Sequence, residues 1–362
     1  PGIYCSNPTF GMNWRRKITA FKVLSSVPGG TLFYRFAQEH LTKSLDPIPE
    51  RVKQKLRVGG MYLEALEKQG KADLLLNGTH LDFGTGWHPT IPLLFYSMGV
   101  NRQYLFDLVP VLNGKMVEKT VETFLGIVTE PSWPKRSELK RLPPGPALPG
   151  TNTLYIGERQ DGRMVMVCPG RQGSEEDGSE RPGDYEFIPG KDISRDWRKY
   201  LDRLGISYHA PYSEFFPSLS GQIDVVTSTQ VLLHIPREPM RWCFGQIYNS
   251  LKPGGLFLAT IHLRDLYADA DKSISDYNHL RYSVDEWENR INSPLMSYNR
   301  FKARDYRELL EEVGFELPVF EVEQGTETHL KELDQVPLDP YFKRYSREEL
   351  AARHLFFIAQ KK

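Results

Sequence analysis

Leu81-Asp82-Phe83-Gly84-Thr85-Gly86-Trp87, followed far downstream by Leu251-Lys252-Pro253-Gly254-Gly255-Leu256-Phe257-Leu258, decides how this 362-residue chain folds. The first stretch reads as a short apolar strand that carries a carboxylate and runs straight into Gly-x-Gly. Glycines there let the backbone turn sharply and approach a bound ligand with no Cβ in the way. The second stretch reads as a helix end at Leu251, a Pro-Gly-Gly turn and a fresh strand from Leu256 to Ile261.

Working outward, the pattern between and beyond these stretches alternates strand and helix. Thr79 to Phe83 predicts a strand, Thr90 to Met98 a helix, and Tyr104-Leu105-Phe106 a second strand that ends in Asp107. A third strand is expected near Ile206 and a fourth from Ile223 to Ser228. Met240, Phe244, Ile247 and Leu251 recur at helical spacing, as do Tyr306, Leu309, Leu310 and Val313, where Gly314 is the expected stop. Phe315 to Val322 and His354 to Ala359 close the pattern as strands. Such alternation argues for an α/β doubly wound sheet with helices around it.

Before the first strand, residues 18–71 read as helical, with Val52, Leu56, Gly59, Leu63 and Leu66 forming one apolar stripe. Pro28-Gly29-Gly30 and the Pro47–Pro49 segment interrupt it. Residues 1–72 are therefore expected to form an N-terminal helical cap, and residues 73–362 the main domain. Between Asp107 and Ile206 lies far more chain than a simple crossover needs. We expect an insertion at about 113–200, with Met164 to Val167 as a short strand inside it. The composition of Pro169 to Gly190, rich in Gly, Ser, Glu, Asp and Arg, predicts a mobile segment.

Lys plus Arg and Asp plus Glu both number 46, so the formal net charge is zero. Arg15-Arg16-Lys17 is the longest basic run noted, and this balance argues against DNA or RNA as a partner. Cys5, Cys168 and Cys243 are scattered, which suits a reducing compartment and offers no zinc-type spacing. No apolar run is long enough to span a bilayer and no signal peptide is visible, while Pro1 suggests that the native start lies upstream. The expectation is a cytoplasmic protein that binds neither membrane nor nucleic acid; its oligomeric state is left open.

The order and separation of the two opening stretches, with Asp107 between them, resemble the class I S-adenosylmethionine-dependent methyltransferases from about Thr79 to Lys362. The resemblance implies a Rossmann-like doubly wound seven-stranded sheet, S-adenosyl-L-methionine as cofactor, and methyl transfer to an oxygen, nitrogen or carbon of a small-molecule acceptor. It also implies site residues. Asp82, Gly84, Thr85, Gly86 and Trp87 would face the amino-acid and sugar portions of the cofactor, Asp107 the ribose, and Leu108, Ala210 and Pro211 the adenine. Ser228 and Gln230 would sit under it. His88-Pro89 stands where the family often has a third glycine.

The chain after the fifth strand, Ile261-His262-Leu263-Arg264-Asp265, is where this family can mount a general base. His262 and Asp265 are candidates there, against a local Arg264–Asp265 surface pair. His234, after the fourth strand, either faces the substrate or caps the following helix. Trp287, Tyr298, Asn299 and Arg300 lie in a polar-aromatic stretch that either covers a pocket or packs on the sheet. No metal is expected. Other readings are a catalytically silent binding protein on the same fold, a methyltransferase acting on protein or RNA, and a nicotinamide-dependent oxidoreductase. Against the last, Pro89 occupies the third-glycine position of Gly-x-Gly-x-x-Gly.

Overall fold

Thr79–Phe83 (β1) is buried along its whole length, as expected of a strand covered on both faces. The computed structural model describes residues 13–30, 45–130, 139–145, 155–158, 164–167, 193–211 and 215–362. Within them the further strands are Arg102–Phe106 (β2), Tyr155–Glu158 (β3), Met164–Val167 (β4), Ile206–His209 (β5), Ile223–Thr229 (β6), Leu251–His262 (β7), Glu316–Glu323 (β8) and His354–Gln360 (β9). A seven-stranded sheet runs in the order β5-β2-β1-β6-β7-β9-β8, and β3 and β4 form a separate antiparallel ribbon. The segment 169–190, expected to be mobile, lies outside the described residues.

By its contacts the chain divides into two compact units: Pro1–Asp46, His80–Gly84 and Tyr212–Lys362 make the first, and Pro47–Thr79 and Thr85–Pro211 the second.

In the first unit β1, β6 and β7 are parallel, with Asp82 opposite Thr227 and Thr227 opposite Leu258, while β9 runs antiparallel to β7 and β8. The Pro-Gly-Gly stretch is not a turn ahead of a fresh strand. β7 begins at Leu251 and bulges: Ile223 pairs with Leu251 and Val225 with Leu256, so Lys252 to Gly255 stand opposite Asp224 alone. Lys252 Nζ lies 2.7 Å from Asp224 Oδ2, and Gly254 N–H donates to Lys361 O at 2.9 Å. The helix Trp14–Ser26 (α1) buries Trp14, Ile18 and Phe21. Phe257 packs edge-on against Phe244 and Phe357 at 5.9 and 5.3 Å, at the centre of this unit's core. A satellite core gathers Tyr277, Leu280, Leu333, Phe342, Tyr345 and Leu350.

In the second unit the predicted stripe of Val52, Leu56, Gly59, Leu63 and Leu66 is buried on the helix Pro49–Lys68 (α2). This helix packs against Thr90–Ser97 (α3) and Gly114–Val128 (α4). Asn113 caps α4 by accepting from Met116 N–H at 3.0 Å, and Val117, Val121, Phe124 and Val128 line its buried face. Arg141 clamps the end of α3, donating to Tyr96 O and Val100 O at 2.8 Å each. Tyr200 on the helix Trp197–Arg203 (α5) donates to Pro144 O at 2.7 Å.

β5 runs parallel to β2 after a turn that only glycine can make. Gly205 has φ +70° and accepts from Gln103 N–H at 2.8 Å, and a Cβ there would lie 1.9 Å from Asn101 O. We predict that Gly205→Ala lowers the unfolding free energy by about 2–4 kcal/mol, read by urea denaturation.

Candidate active site

In the second unit the chain from Thr85 to His88 is held by neighbours and not by its own side chains. Thr85 N–H donates to Phe106 O at 3.4 Å and Gly86 N–H to Asp107 Oδ1 at 2.9 Å. From α2, Lys55 Nζ reaches Thr85 O at 3.3 Å and His88 O at 2.9 Å. Asp107 is buried, and its own N–H donates to His209 O at 3.2 Å. The Tyr208 hydroxyl lies against this carboxylate and accepts from Val111 and Leu112 N–H at 3.1 and 3.3 Å; burial, then the charge of Asp107, pushes its pKa far up. Trp87 and Ala210 are half-buried and Pro211 is exposed, the Ala210–Pro211 peptide being cis. Leu108, immediately after Asp107, is 67% exposed.

In the first unit Asp82 Oδ1 accepts from the Thr227 hydroxyl at 3.1 Å. Thr227 Oγ1 therefore accepts in turn from His80 Nε2, 2.8 Å away, which fixes that ring's tautomer. Gly84 has φ +85°, and a Cβ on it would lie 2.3 Å from Val231 Cγ2, so the chain closes down on the turn after β6. Ser228 is fully buried. Gln230, in the left-handed region at φ 58°, ties three strand ends together. Its Nε2 lies 3.0 Å from His354 Nε2 and 3.4 Å from Thr260 Oγ1, and its Oε1 accepts from His262 N–H at 2.8 Å.

The three candidate bases sit in different surroundings. His262 packs edge-on against His354 at 5.1 Å, and burial, followed by His354, Arg264 and Arg353, holds its pKa down at about 2. Asp265 is wholly buried and accepts from Tyr298 Oη at 2.6 Å, Tyr267 N–H at 2.7 Å and Asn278 Nδ2 at 3.2 Å. Burial raises its pKa to about 6 against those bonds. The expected Arg264–Asp265 surface pair does not form; Arg264 pairs instead with Asp269 at 2.7 Å and Asp276 at 3.4 Å. His234 is exposed on the turn Leu232–His234, with Nδ1 2.7 Å from Ser297 O. A carbonyl only accepts, so Nδ1 carries the proton and Nε2 keeps its lone pair.

The stretch from Tyr277 to Arg304 is a packed layer. Trp287 Nε1 donates to Tyr298 O at 2.9 Å, and the two rings meet edge-on at 5.0 Å. Asn299 latches the His234 turn, donating from Nδ2 to Leu232 O and Ile235 O at 2.9 and 2.8 Å. Arg300 donates to His279 O at 3.0 Å and Ser283 O at 3.2 Å, with its guanidinium over the Trp287 ring. Sequence reasoning passed over Lys302. Its fully buried Nζ lies 3.1 Å from Leu263 O and 3.2 Å from His279 Nε2, and burial pulls its pKa down to about 7. It passed over Lys55 as well, which lies beside the α2 stripe and carries no local signal of its role. Among the described residues no His, Cys, Asp and Glu group is arranged to hold a metal ion, and no helix is long and apolar enough to cross a membrane.

A family model described as "Methyltransferase domain" matches residues 50–318. The chain belongs to the methyltransferase domain family. It is an S-adenosylmethionine-dependent methyltransferase, not a nicotinamide-dependent oxidoreductase. No curated protein matches the sequence. Among solved structures, this methyltransferase is similar to a protein described as a sarcosine dimethylglycine methyltransferase from Galdieria sulphuraria, at 12% identity over 88% of this chain and 90% of that one, with TM-score 0.43. It is also similar to the magnesium protoporphyrin IX methyltransferase of Synechocystis PCC 6803, at 12% identity, 94% and 99% coverage and TM-score 0.40. A third likeness is to a methyltransferase from Methanosarcina mazei, at 13% identity, 78% and 92% coverage and TM-score 0.36.

Lys302 gives the methyltransferase a pH signature. Between about pH 7 and its ordinary value of 10.5, the unfolded chain holds a proton there that the folded chain has released. Stability from this group therefore rises with pH through that window, and the burial penalty is fully present below it. Lys302→Met should flatten the rise, checked by urea denaturation of both proteins at about pH 7 and about pH 9.5.

Proposed function

We propose that this methyltransferase acts on a small-molecule acceptor, with His234 taking the acceptor's proton. The observation that carries the small-molecule reading is the aromatic layer after β7. Tyr267 and Tyr298 pack at 5.9 Å, and Trp14 of α1 packs on Tyr267 and Tyr282 at 5.8 and 5.9 Å. Aromatic faces with a few fixed polar groups suit a compact ligand. A nucleic-acid acceptor needs a basic track, and three cations of this layer are already engaged: Arg264 in ion pairs, Arg300 and Lys302 on backbone carbonyls. A cytoplasmic setting accords with the three scattered cysteines, of which Cys243 is a buried free thiol.

The residues present fit the cofactor. Asp107 offers a carboxylate at a strand end, held in place by Gly86 N–H, for the ribose hydroxyls. The exposed Leu108, with Ala210 and Pro211, offers a surface for the adenine. Asp82, Gly84, Thr85, Gly86 and Trp87 would serve the amino-acid and sugar portions. Ser228 is assigned to the cofactor as well, and Gln230 acts by holding the ends of β6, β7 and β9 in register. The helices ahead of β1 would serve as the cap, α2 by setting the loop through Lys55.

S-adenosylmethionine, when bound, supplies a methyl group on a sulfonium that requires no metal to activate it. The protein's share is alignment, exclusion of water and removal of one proton. His234 is suited to the last task. Ser297 O fixes its ring and tautomer and offsets part of the lowering of its pKa by burial, Asn299 fixes its turn, and Nε2 keeps its lone pair. His262 and Asp265 are assigned to holding the strand end and the segment after it.

Asp107→Ala should weaken binding of S-adenosylhomocysteine roughly ten- to a hundredfold, the loss of about 1.5–3 kcal/mol for charge-assisted hydrogen bonds. Calorimetric titration of the folded variant checks this, and unchanged affinity would remove Asp107 from the site.

With an acceptor found by screening small-molecule, RNA and protein pools for S-adenosylhomocysteine release, His234→Ala should lower kcat about 10²–10⁴-fold. The parent rate should fall at acid pH as the imidazole protonates. Release only with RNA or protein would overturn the acceptor class, and a fully active variant would overturn the base.

A further inference from the structure

In the first unit a cleft of about 210 Å³ opens between the segment 273–281 and the helix Glu327–Asp334, and it shares no residue with the proposed cofactor and base positions. Arg281 is exposed on its wall and makes no ion pair or hydrogen bond among the described residues. Glu332 lines the cleft from the helix Glu327–Asp334. One of its oxygens accepts from Asp276 N–H at 3.0 Å, and no ion pair neutralises it among the described residues. Ile274 and Val336 supply an aliphatic surface, and Ser275 and Asn278 supply polar groups.

A guanidinium with no protein partner is matched by a carboxylate, which it can bind through two parallel hydrogen bonds. Glu332, lining the same cleft, disfavours a purely anionic guest and favours one that also carries an ammonium. The volume lies below the roughly 300–1,000 Å³ usual for drug-sized ligands, so the guest is compact. We infer that this cleft binds a small aliphatic zwitterion, an α-amino acid whose carboxylate meets Arg281, whose ammonium meets Glu332 and whose side chain lies on Ile274 and Val336.

The cleft has a path to the segment after β7. Asn278, in its wall, donates to Asp265 Oδ2 at 3.2 Å, and Asp265 also holds Tyr298. Occupancy therefore bears on the layer proposed to receive the acceptor, although the inference does not rest on that proposal.

The test is calorimetric titration of the full chain with three probes: L-leucine, 4-methylvalerate, which lacks the amine, and 3-methylbutylamine, which lacks the acid. L-Leucine should bind saturably, and each half-ligand at least about tenfold more weakly, the scale of one charge-assisted hydrogen bond. Arg281→Met should lose L-leucine by a similar factor. Glu332→Gln, which keeps an oxygen for Asp276 N–H, should bind L-leucine and 4-methylvalerate alike. Circular dichroism confirms that both variants are folded. Absence of saturable L-leucine binding, equal binding of a half-ligand to the parent, or undiminished binding to Arg281→Met would overturn the inference.

Discussion

The hydrogen bond from Gly86 N–H to Asp107 Oδ1, 2.9 Å long, is the contact on which the proposed cofactor loop depends. A loop that passes through the left-handed region at both Gly84 and Gly86 has no side chains at those points with which to hold itself. Pro89 removes a further N–H from the turn. The anchors must come from elsewhere, and they do. Asp107 takes the N–H side of the loop, and Lys55 takes its carbonyls at residues 85 and 88. The carboxylate proposed for the ribose thus also shapes the loop. Its loss would act on binding twice, through the missing acceptor and through a less ordered backbone.

The first unit solves a different problem, that of buried charge. Asp265, Arg300 and Lys302 are all largely withdrawn from water, a position that is costly unless each polar atom finds a partner. Asp265 gathers three donors from three places in the chain, and Arg300 and Lys302 are spent on carbonyls at 279, 283 and 263. Apart from the local bond from Tyr267 N–H, each joins segments distant in the sequence. The segment after β7 is therefore ordered by polar contacts as well as by its aromatic rings. This arrangement offers a reason for a chain to retain a lysine whose pKa lies near 7.

Much of the fold was legible because it is written in local pattern. β1 matches its predicted limits, β6, β7 and β9 follow their apolar runs, and the helix Ala303–Val313 stops at Gly314, whose φ is 110°. The bulge in β7 was not legible, since a Pro-Gly-Gly stretch becomes a bulge only when Asp224 and Lys361 lie across from it. α4 does carry helical spacing at Val117, Val121, Phe124 and Val128, but it sits at the head of an irregular, Pro-rich stretch and was absorbed into the insertion. Of the proposed site, the glycines and Asp107 were candidates from their spacing and from the family resemblance. Lys55, Asn299 and Lys302 act through contacts made only by the fold, such as Asn299 with Leu232, which no periodicity announces.

The same limit explains how the candidates for the base separate. Sequence placed His262 at the favoured strand end and left His234 evenly balanced between catalysis and capping. Position along a strand says nothing of protonation. A base must accept a proton in the working pH range, and an imidazole held near pKa 2 by burial and by a second histidine and two arginines resists doing so. Asp265 has a raised pKa, but its oxygens are already committed to Tyr298, Tyr267 and Asn278, so proton transfer there would disturb the layer it organises. Burial lowers the His234 pKa as well, but the bond to Ser297 O works against that, and no neighbouring cation adds to it. Its Nδ1–H is satisfied by Ser297 O, so Nε2 is the nitrogen left to accept a proton, without any neighbour having to move. For a methyl donor already activated by its own positive charge, one such oriented nitrogen is all the acid–base chemistry the protein needs to provide.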